Sequence, residues 1–463
     1  MQLSGKGVAA ALTVASVQML SLDAVAQEQL TGQSLSGKSS SGKDADSTGL
    51  DWLPDWIAKP LAPWRFDGAI LWYREQDRVQ AIEGIVQGRY DYSDSLSVTA
   101  KMLLDSLSGA SATGALPQPT AQTFTRPSGG GEYSVATGQT PLDDTFKDTR
   151  LQLSADWSEI ISTEKRIHGG VYGSKEFDYA SIGVNGGAEW GFNKDNTTLS
   201  LSTALGMDVV DPVGAVPVAG APMAIRRDFS GEDAFLAAFA TTRIPGVRRK
   251  YTSEMLFGLN QVINRSTLVQ LNYGVALSQG YLTDPYKILS VVNEQGLAQE
   301  YRYESRPDSR LRHSLFALLK YAMDKGVWEA SYRFTLDDWG MQSHTLETRL
   351  RRQFGDIWGF KGLYGQLHLR WLHQGETDFY RSFLMEGEAL PRYMSADYRL
   401  GDLDTYTLGV KLGYRLSGGR ELAWRLGWYH QVPRGSQPAL PALAGLDLYP
   451  VVDAAMLQLN YQW

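Results

Sequence analysis

From Phe66 onward, apolar and polar residues exchange places at every second position. The alternating stretches are separated by segments rich in Gly, Asn, Asp and Ser. A period of two is that of a strand with one buried face. In 407–416, Leu408, Val410, Leu412, Tyr414 and Leu416 share one face, while Thr407, Gly409, Lys411, Gly413 and Arg415 share the other. In 182–192 the apolar face carries Ile182, Val184, Ala188, Trp190 and Phe192. The pattern predicts strands near 65–75, 79–90, 96–106, 147–158, 166–178, 180–192, 197–208 and 250–263. It predicts eight more near 267–281, 310–323, 327–337, 343–354, 362–374, 405–416, 420–431 and 451–463.

The connections sort into two classes. Short ones fall at 193–196, 264–266, 324–326 and 417–419; long ones fall at 107–146, 209–249, 282–309, 375–404 and 432–450. They alternate in register with the strands, apart from a short turn near 178 and a brief loop at 337–342. A soluble sandwich has no reason to sort its loops in this way. An up-and-down barrel in a bacterial outer membrane does, with short periplasmic turns and long extracellular loops. The expected fold is therefore all-β: a transmembrane antiparallel barrel of about 16 strands, with 14 to 18 compatible with the even parity.

The last segment is the most specific. Ala455, Leu457, Leu459, Tyr461 and Trp463 point one way, and Met456, Gln458, Asn460 and Gln462 the other. Leu457, Leu459, Tyr461 and Trp463 form the expected membrane-insertion signal, read by the barrel assembly machinery and then seated against outer-membrane lipids. Trp463 is expected at the periplasmic rim, beside the strand containing Trp72.

Composition enters as a check. Hydrophobic residues make up 43% and charged residues 21%, and no run of about 20 apolar residues offers a membrane helix. A barrel hides its membrane signal, since only alternate residues meet lipid. Aromatic residues reach 11% and Gly numbers 47, which suits twisted strands with aromatic girdles. The absence of Cys excludes a disulfide framework, a thiolate zinc site and a covalently attached c-type haem. A net charge of -7 argues against nucleic acid. At the start, Lys6, the mostly apolar stretch 8–22 and Ala24-Val25-Ala26 read as a signal peptide over 1–26. Residues 27–64 follow as a periplasmic linker with an aromatic lead-in around Trp52 and Trp56, and 65–463 as the barrel.

Charge then locates the interior. Glu254, Glu329, Arg333, Glu347, Arg349, Arg351, His368, Arg370, Lys411, Arg415 and Arg425 all fall on the faces opposite the apolar ones. A lipid-facing Arg costs about 2–4 kcal/mol at the midplane, so these are expected to line a polar, wet lumen. The basic excess of the C-terminal strands suits an anionic solute; a salt-bridged wall without selectivity explains it equally well.

Several motifs resemble an uncharacterised group of bacterial outer-membrane proteins, domain-of-unknown-function family 3570. The first three are 104–111 (LDSLSGAS), 122–125 (QTFT) and Pro141-Leu142-Asp143-Asp144-Thr145-Phe146-Lys147-Asp148. The others are 280–287 (GYLTDPYK), 337–340 (DDWG) and 393–400 (YMSADYRL). Together they span most of the chain beyond the leader. The resemblance implies a barrel in the outer membrane of a Gram-negative bacterium, and no established activity. Genes of this kind sit with a flavinylating enzyme, a small lipoprotein and a thioredoxin-like protein. By that association it implies envelope redox or metal traffic, and a small lipoprotein or flavinylated periplasmic protein as partner.

Acidic residues gather in the expected outer loops: Asp105, Asp143, Asp144, Asp148, Asp284, Asp337, Asp338 and Asp397. Carboxylates so placed can hold Ca²⁺ or another divalent ion. Because none has the spacing of an EF-hand loop, capping of turns through their own backbone is the favoured reading. Asp337 and Asp338 stand a few residues from His344 across a turn, the nearest thing here to a hydrolase cluster, without a recognisable Ser motif. His368 and His373 are five apart on a strand and cannot form one metal pair. The functional expectation is a porin-like conduit or scaffold for a small polar, metal or redox cargo, and not an enzyme. The alternatives are a plugged scaffold for a periplasmic partner and a loop-borne hydrolase.

Overall fold

A computed structural model describes residues 64–463, apart from 358–359, 436–439 and 450. The expected signal peptide and nearly all of the linker lie outside the described residues. Sixteen strands form the wall: β1 Trp64–Glu75, β2 Val79–Asp91, β3 Leu96–Ala112, β4 Leu142–Ser162, β5 Lys165–Lys175, β6 Tyr179–Phe192, β7 Thr197–Val210 and β8 Arg248–Asn264. They continue with β9 Thr267–Gly280, β10 Ser309–Met323, β11 Gly326–Asp337, β12 Gln342–Ile357, β13 Phe360–Gln374, β14 Leu403–Arg415, β15 Glu421–Pro433 and β16 Val452–Gln462. Each pairs antiparallel with the next, and β16 closes on β1. All sixteen segments read from the alternation are strands of this wall.

Closure follows from lipid as solvent, where an open sheet edge has no partner for its backbone groups. Trp72 pairs with Leu457, and Trp463 exchanges two backbone hydrogen bonds with Phe66 (3.0 and 3.3 Å). The outward residues are apolar and uncovered, as in Ile70, Ile182, Leu346 and Leu426, the last 62% exposed. Outward Tyr406 and Tyr414 bracket Leu408, Val410 and Leu412 on β14. Eight residues at ~3.3 Å each, tilted about 40°, span roughly 20 Å, near the height of the apolar band of a membrane barrel. Aromatic rings mark the edges of that band. At one rim Trp463 stacks on Phe66 (5.6 Å) and Tyr461 (5.5 Å). Towards the other, Trp371 stacks on His373 and Trp428 on His430.

The short turns and both ends of the wall share the Trp463 rim, and every long loop leaves from the other. Asn193, Lys194 and Asp195 bend one short turn through positive φ, a conformation that Asn and Asp tolerate. Three short turns also interrupt the long-loop rim, at 76–78, 176–178 and 338–341; the first adds to the two expected. The first long loop is shorter than its predicted span because β3 and β4 stay paired beyond it, to Ala112 opposite Leu142.

Two glycines launch long loops. Gly109 (φ 127°) and Gly280 (φ 103°) adopt backbone that other residues rarely take. A Cβ on Gly109 would lie 2.1 Å from the Arg78 carbonyl oxygen, at a bulge in β3. Gly109→Ala is expected to cost about 1–3 kcal/mol, the usual toll of such a strained position. Urea titration of the folded barrel in detergent measures it, and an unchanged midpoint contradicts the strain.

Candidate functional site

The inner wall carries charge because alternate residues of a strand face opposite ways. On β12, Leu346 and Leu350 face out, so Glu347, Arg349 and Arg351 face in. The same rule places Glu254 inside on β8, Glu329 and Arg333 on β11, His368 and Arg370 on β13, Lys411 and Arg415 on β14, and Arg425 on β15. Some are paired. Lys320 meets Glu329 at 2.8 Å, and Glu347 takes Arg349 (2.6 Å) and His368 (3.1 Å). The Arg351 guanidinium lies 3.8 Å from the Tyr364 ring centre, and the Tyr364 hydroxyl donates to Glu421. Beside this wall a cavity of ≈ 1100 Å³ opens at the short-turn end, lined by polar groups that include Arg65, Arg89, His168, Asn260 and Lys320.

A polar interior was expected, and part of it is apolar. Leu71, Tyr73, Val79, Ala81, Leu107 and Ala454 pack together on the inner face of β1, β2, β3 and β16. Residues 69–73 are apolar at every position, so alternation could not reveal that the inward ones were apolar too. They are kept from water by one another and by Tyr429 and Met456.

Over the long-loop rim, the loops fold into a cap. Residues 288–292, 298–303 and 384–385 make a three-stranded sheet from two loops. Phe124, Ile288, Tyr301 and Tyr303 form an apolar cluster between three loops, with Phe124 at 0% exposure. Gln118 accepts from the Ala298 amide (2.9 Å), and Gln122 accepts from the Tyr301 hydroxyl (2.8 Å). The helix α1, Glu232–Thr241, adds buried Phe235 and Phe239.

An ionic node holds the cap together. Arg399 grips Asp397 with Nε (2.8 Å) and also reaches Asp284 (3.1 Å). Arg306 bridges Glu304 and Asp397, each at 2.9 Å from Nη2. Ser395 donates to Glu304, and Lys287 donates to the Ala112 carbonyl at the end of β3. Three carboxylates (Asp284, Glu304, Asp397) face three cations (Lys287, Arg306, Arg399), so the node is neutral. Burial alone would raise the Asp397 carboxyl, but Arg399, Lys287 and Arg306 outweigh it and hold it well below the usual carboxylate range. Burial pushes the Lys287 ammonium down and the Tyr398 phenol up to about 12.

The other acidic residues are placed as follows. Asp105 takes Arg150 (2.8 Å). Asp337 takes Arg310 (2.8 Å) and caps the amides of Trp339 and Met341, while Asp338 accepts from the Leu311 amide (2.9 Å). Asp284 also caps Tyr286 (3.0 Å). Asp143 is buried at the top of β4, and the Asp144 side chain lies outside the described residues. Asp148 stands with Glu176 and Asp178, two residues that no sequence pattern singles out, with carboxylate oxygens within 4.8 Å of one another. Of the described acids, this trio has the donor set closest to that of a hard cation. His344 turns outward and meets the Tyr332 hydroxyl (2.7 Å), apart from Asp337 and Asp338. His368 faces inward, and His373 sits on the outer face with Asp404 (3.0 Å).

A family model described as "Protein of unknown function (DUF3570)" matches residues 9–463. No curated protein matches the chain. Among solved structures, a bacterial polysaccharide outer membrane secretin is similar at 7% identity and a TM-score of 0.41, over 86% of this chain and 98% of that one. The outer membrane protein opdK from Pseudomonas aeruginosa is similar at 11% and 0.37, over 86% and 98%. A monoaromatic hydrocarbon channel, CymD, is similar at 7% and 0.37, over 92% and 94%.

Proposed function

Taking as premise that the chain belongs to the DUF3570 family, we propose that it is a porin-like conduit in the outer membrane of a Gram-negative bacterium. Its long loops face outward and its short turns face the periplasm. The observation that carries this reading is the pairing of an apolar exterior with a charged interior around a polar cavity of ≈ 1100 Å³. A barrel built only as an anchor has no use for charge inside, where each unpaired ion costs desolvation. The cargo is a small polar solute that enters past the cap.

The cap favours a second reading, an interaction scaffold whose outer mouth is closed. Its partner would then engage the short-turn rim, and a small lipoprotein or a flavinylated periplasmic protein fits that place. Conductance across a planar bilayer separates the two. The conduit reading expects small, intermittent currents from the intact chain and larger, steadier ones once the cap is loosened. A purified barrel that stays silent in both forms leaves the scaffold.

A further inference from the structure

The inner faces of five neighbouring strands, β11 to β15, carry Arg333, Arg349, Arg351, Arg370, Lys411 and Arg425. Register sets some of these like charges side by side: Lys411 stands directly opposite Arg425. Like charges in that relation destabilise a sheet. Two carboxylates stand within the patch: Glu347, opposite Arg370, is already engaged by Arg349 and His368, and Glu329, opposite Arg349, is engaged by Lys320 at 2.8 Å. Glu421 stands 3.8 Å from Arg351 and 4.0 Å from Lys411, beyond hydrogen-bond length.

Three of these cations, Arg370, Arg349 and Arg333, are therefore under-supplied with acceptors among the described residues. Arg370 makes no hydrogen bond or ion pair among the described residues, and its Nε is buried. Arg349 has a buried Nε without a hydrogen-bond partner. Arg333 rests its guanidinium over the Phe316 ring at 5.2 Å and forms no ion pair within 4.0 Å among the described residues. A buried donor left unmade costs about 1–3 kcal/mol, more when it is charged. Guanidinium groups are planar forks that match two oxygens of one anion, so the missing partner has the shape of an oxyanion.

We propose that this wall is a binding site for small oxyanions, of the carboxylate or phosphate class, with Arg370, Arg333 and Arg349 as the donors. The inference rests on the conduit reading only for the anion's route into the lumen. Arg351 and Lys411 hold the local field positive from the Tyr364 side, where they lie 3.8 and 5.6 Å from the ring centre.

The test uses the full-length chain in detergent and in planar bilayers. Calorimetric titration with inorganic phosphate and, separately, with succinate reads binding without requiring flux. Chloride serves as a control of equal sign and no fork geometry. At least one oxyanion is expected to bind, and chloride is expected not to displace it at equal concentration. Arg370→Gln is expected to weaken binding about tenfold, the loss of one charged hydrogen-bonding partner. Arg370→Lys keeps the charge and loses the fork, so it should retain anion preference in the reversal potential but bind several times more weakly. Heat-dependent gel mobility shows that each variant is folded. Binding by a barrel that carries no current supports the site and overturns the conduit. Current without oxyanion binding, or equal competition by chloride, overturns the site and leaves the conduit standing. Which of phosphate and succinate binds more tightly identifies the class.

Discussion

Removing residues 452–463 is expected to leave no barrel that migrates as a compact band on an unheated gel. The segment is β16, and it pairs along one side with β15 from Gln431 to Glu421 and along the other with β1 from Asp67 to Glu75. Its loss leaves two edges whose amides and carbonyls face lipid. Each unsatisfied backbone group there costs several kcal/mol. No repacking of side chains offsets a row of them, so the effect is close to all or none. Trp463→Ala is the graded form. It keeps the backbone bonds to Phe66 and removes the ring stacked on Phe66 and Tyr461. The expected loss is about 0.5–1.5 kcal/mol beyond the area buried, visible as a lower mobility-shift temperature. A truncated chain that still gives the compact band would refute the closing role of this strand.

Asp397→Ala is expected to free the cap while sparing the wall. The carboxylate is buried and is the shared partner of Arg306 and Arg399, which are partly covered. Deleting it leaves three cations to two carboxylates, Arg306 keeping Glu304 and Arg399 keeping Asp284, so the cost is expected at or below the ~3–5 kcal/mol of a fully broken buried pair. The wall holds its own ladder of backbone bonds, so heat-dependent mobility should persist. Loops 281–308 and 375–402 should become sensitive to added protease, and bilayer currents should rise. Cleavage kinetics unchanged from the parent protein would rule out the node as the clasp. Acid should act in the same direction. The Asp397 carboxyl titrates far below its ordinary value of 3.8, so its contribution is complete above that value and is lost as pH falls beneath it. The Asp397 contribution should thus be constant from neutral pH down to about 4 and fall below it, whereas burial raises the Glu304 carboxyl, which takes up its proton at higher pH.

How much of this was written in the chain is best seen strand by strand. The wall was legible because most strands repeat one rule, apolar out and polar in, with the apolar inner cluster of β1, β2, β3 and β16 as the departure. Lys411 and Arg415 could be assigned to the interior from Leu408, Val410 and Leu412 alone. The cap was not legible. Its bonds join residues far apart, as when Leu116 donates to Ser290 (3.0 Å), and no local period announces such a pair. Proximity in sequence also misled. His344 lies close to Asp337 along the chain, yet the strand β12 turns it outward while Asp337 folds into its own turn. The Asp residues of the outer loops carry two meanings in a sequence, ligand or cap. Only the positions of Arg310, Arg399 and Arg150 show which carboxylates are already matched.

The reach of those cap contacts has a consequence for how the molecule is made. Lys287 meets Ala112 across 175 positions, and Tyr301 meets Gln122 across 179. Closure of the wall spans still more of the chain, from Asp67 to Gln462, so distance alone does not put the cap last; its contacts come last because they join loops held apart until the strands between them are in place. Here they also require that separate loops have already crossed to the same side of the bilayer. Each new copy therefore passes through a stage with its wall complete and its mouth uncovered. In pulse-labelled cells, protease sensitivity of the outer loops should outlast the appearance of the compact band. On the conduit reading, the unfinished molecule would present a wider opening for that interval than the finished one.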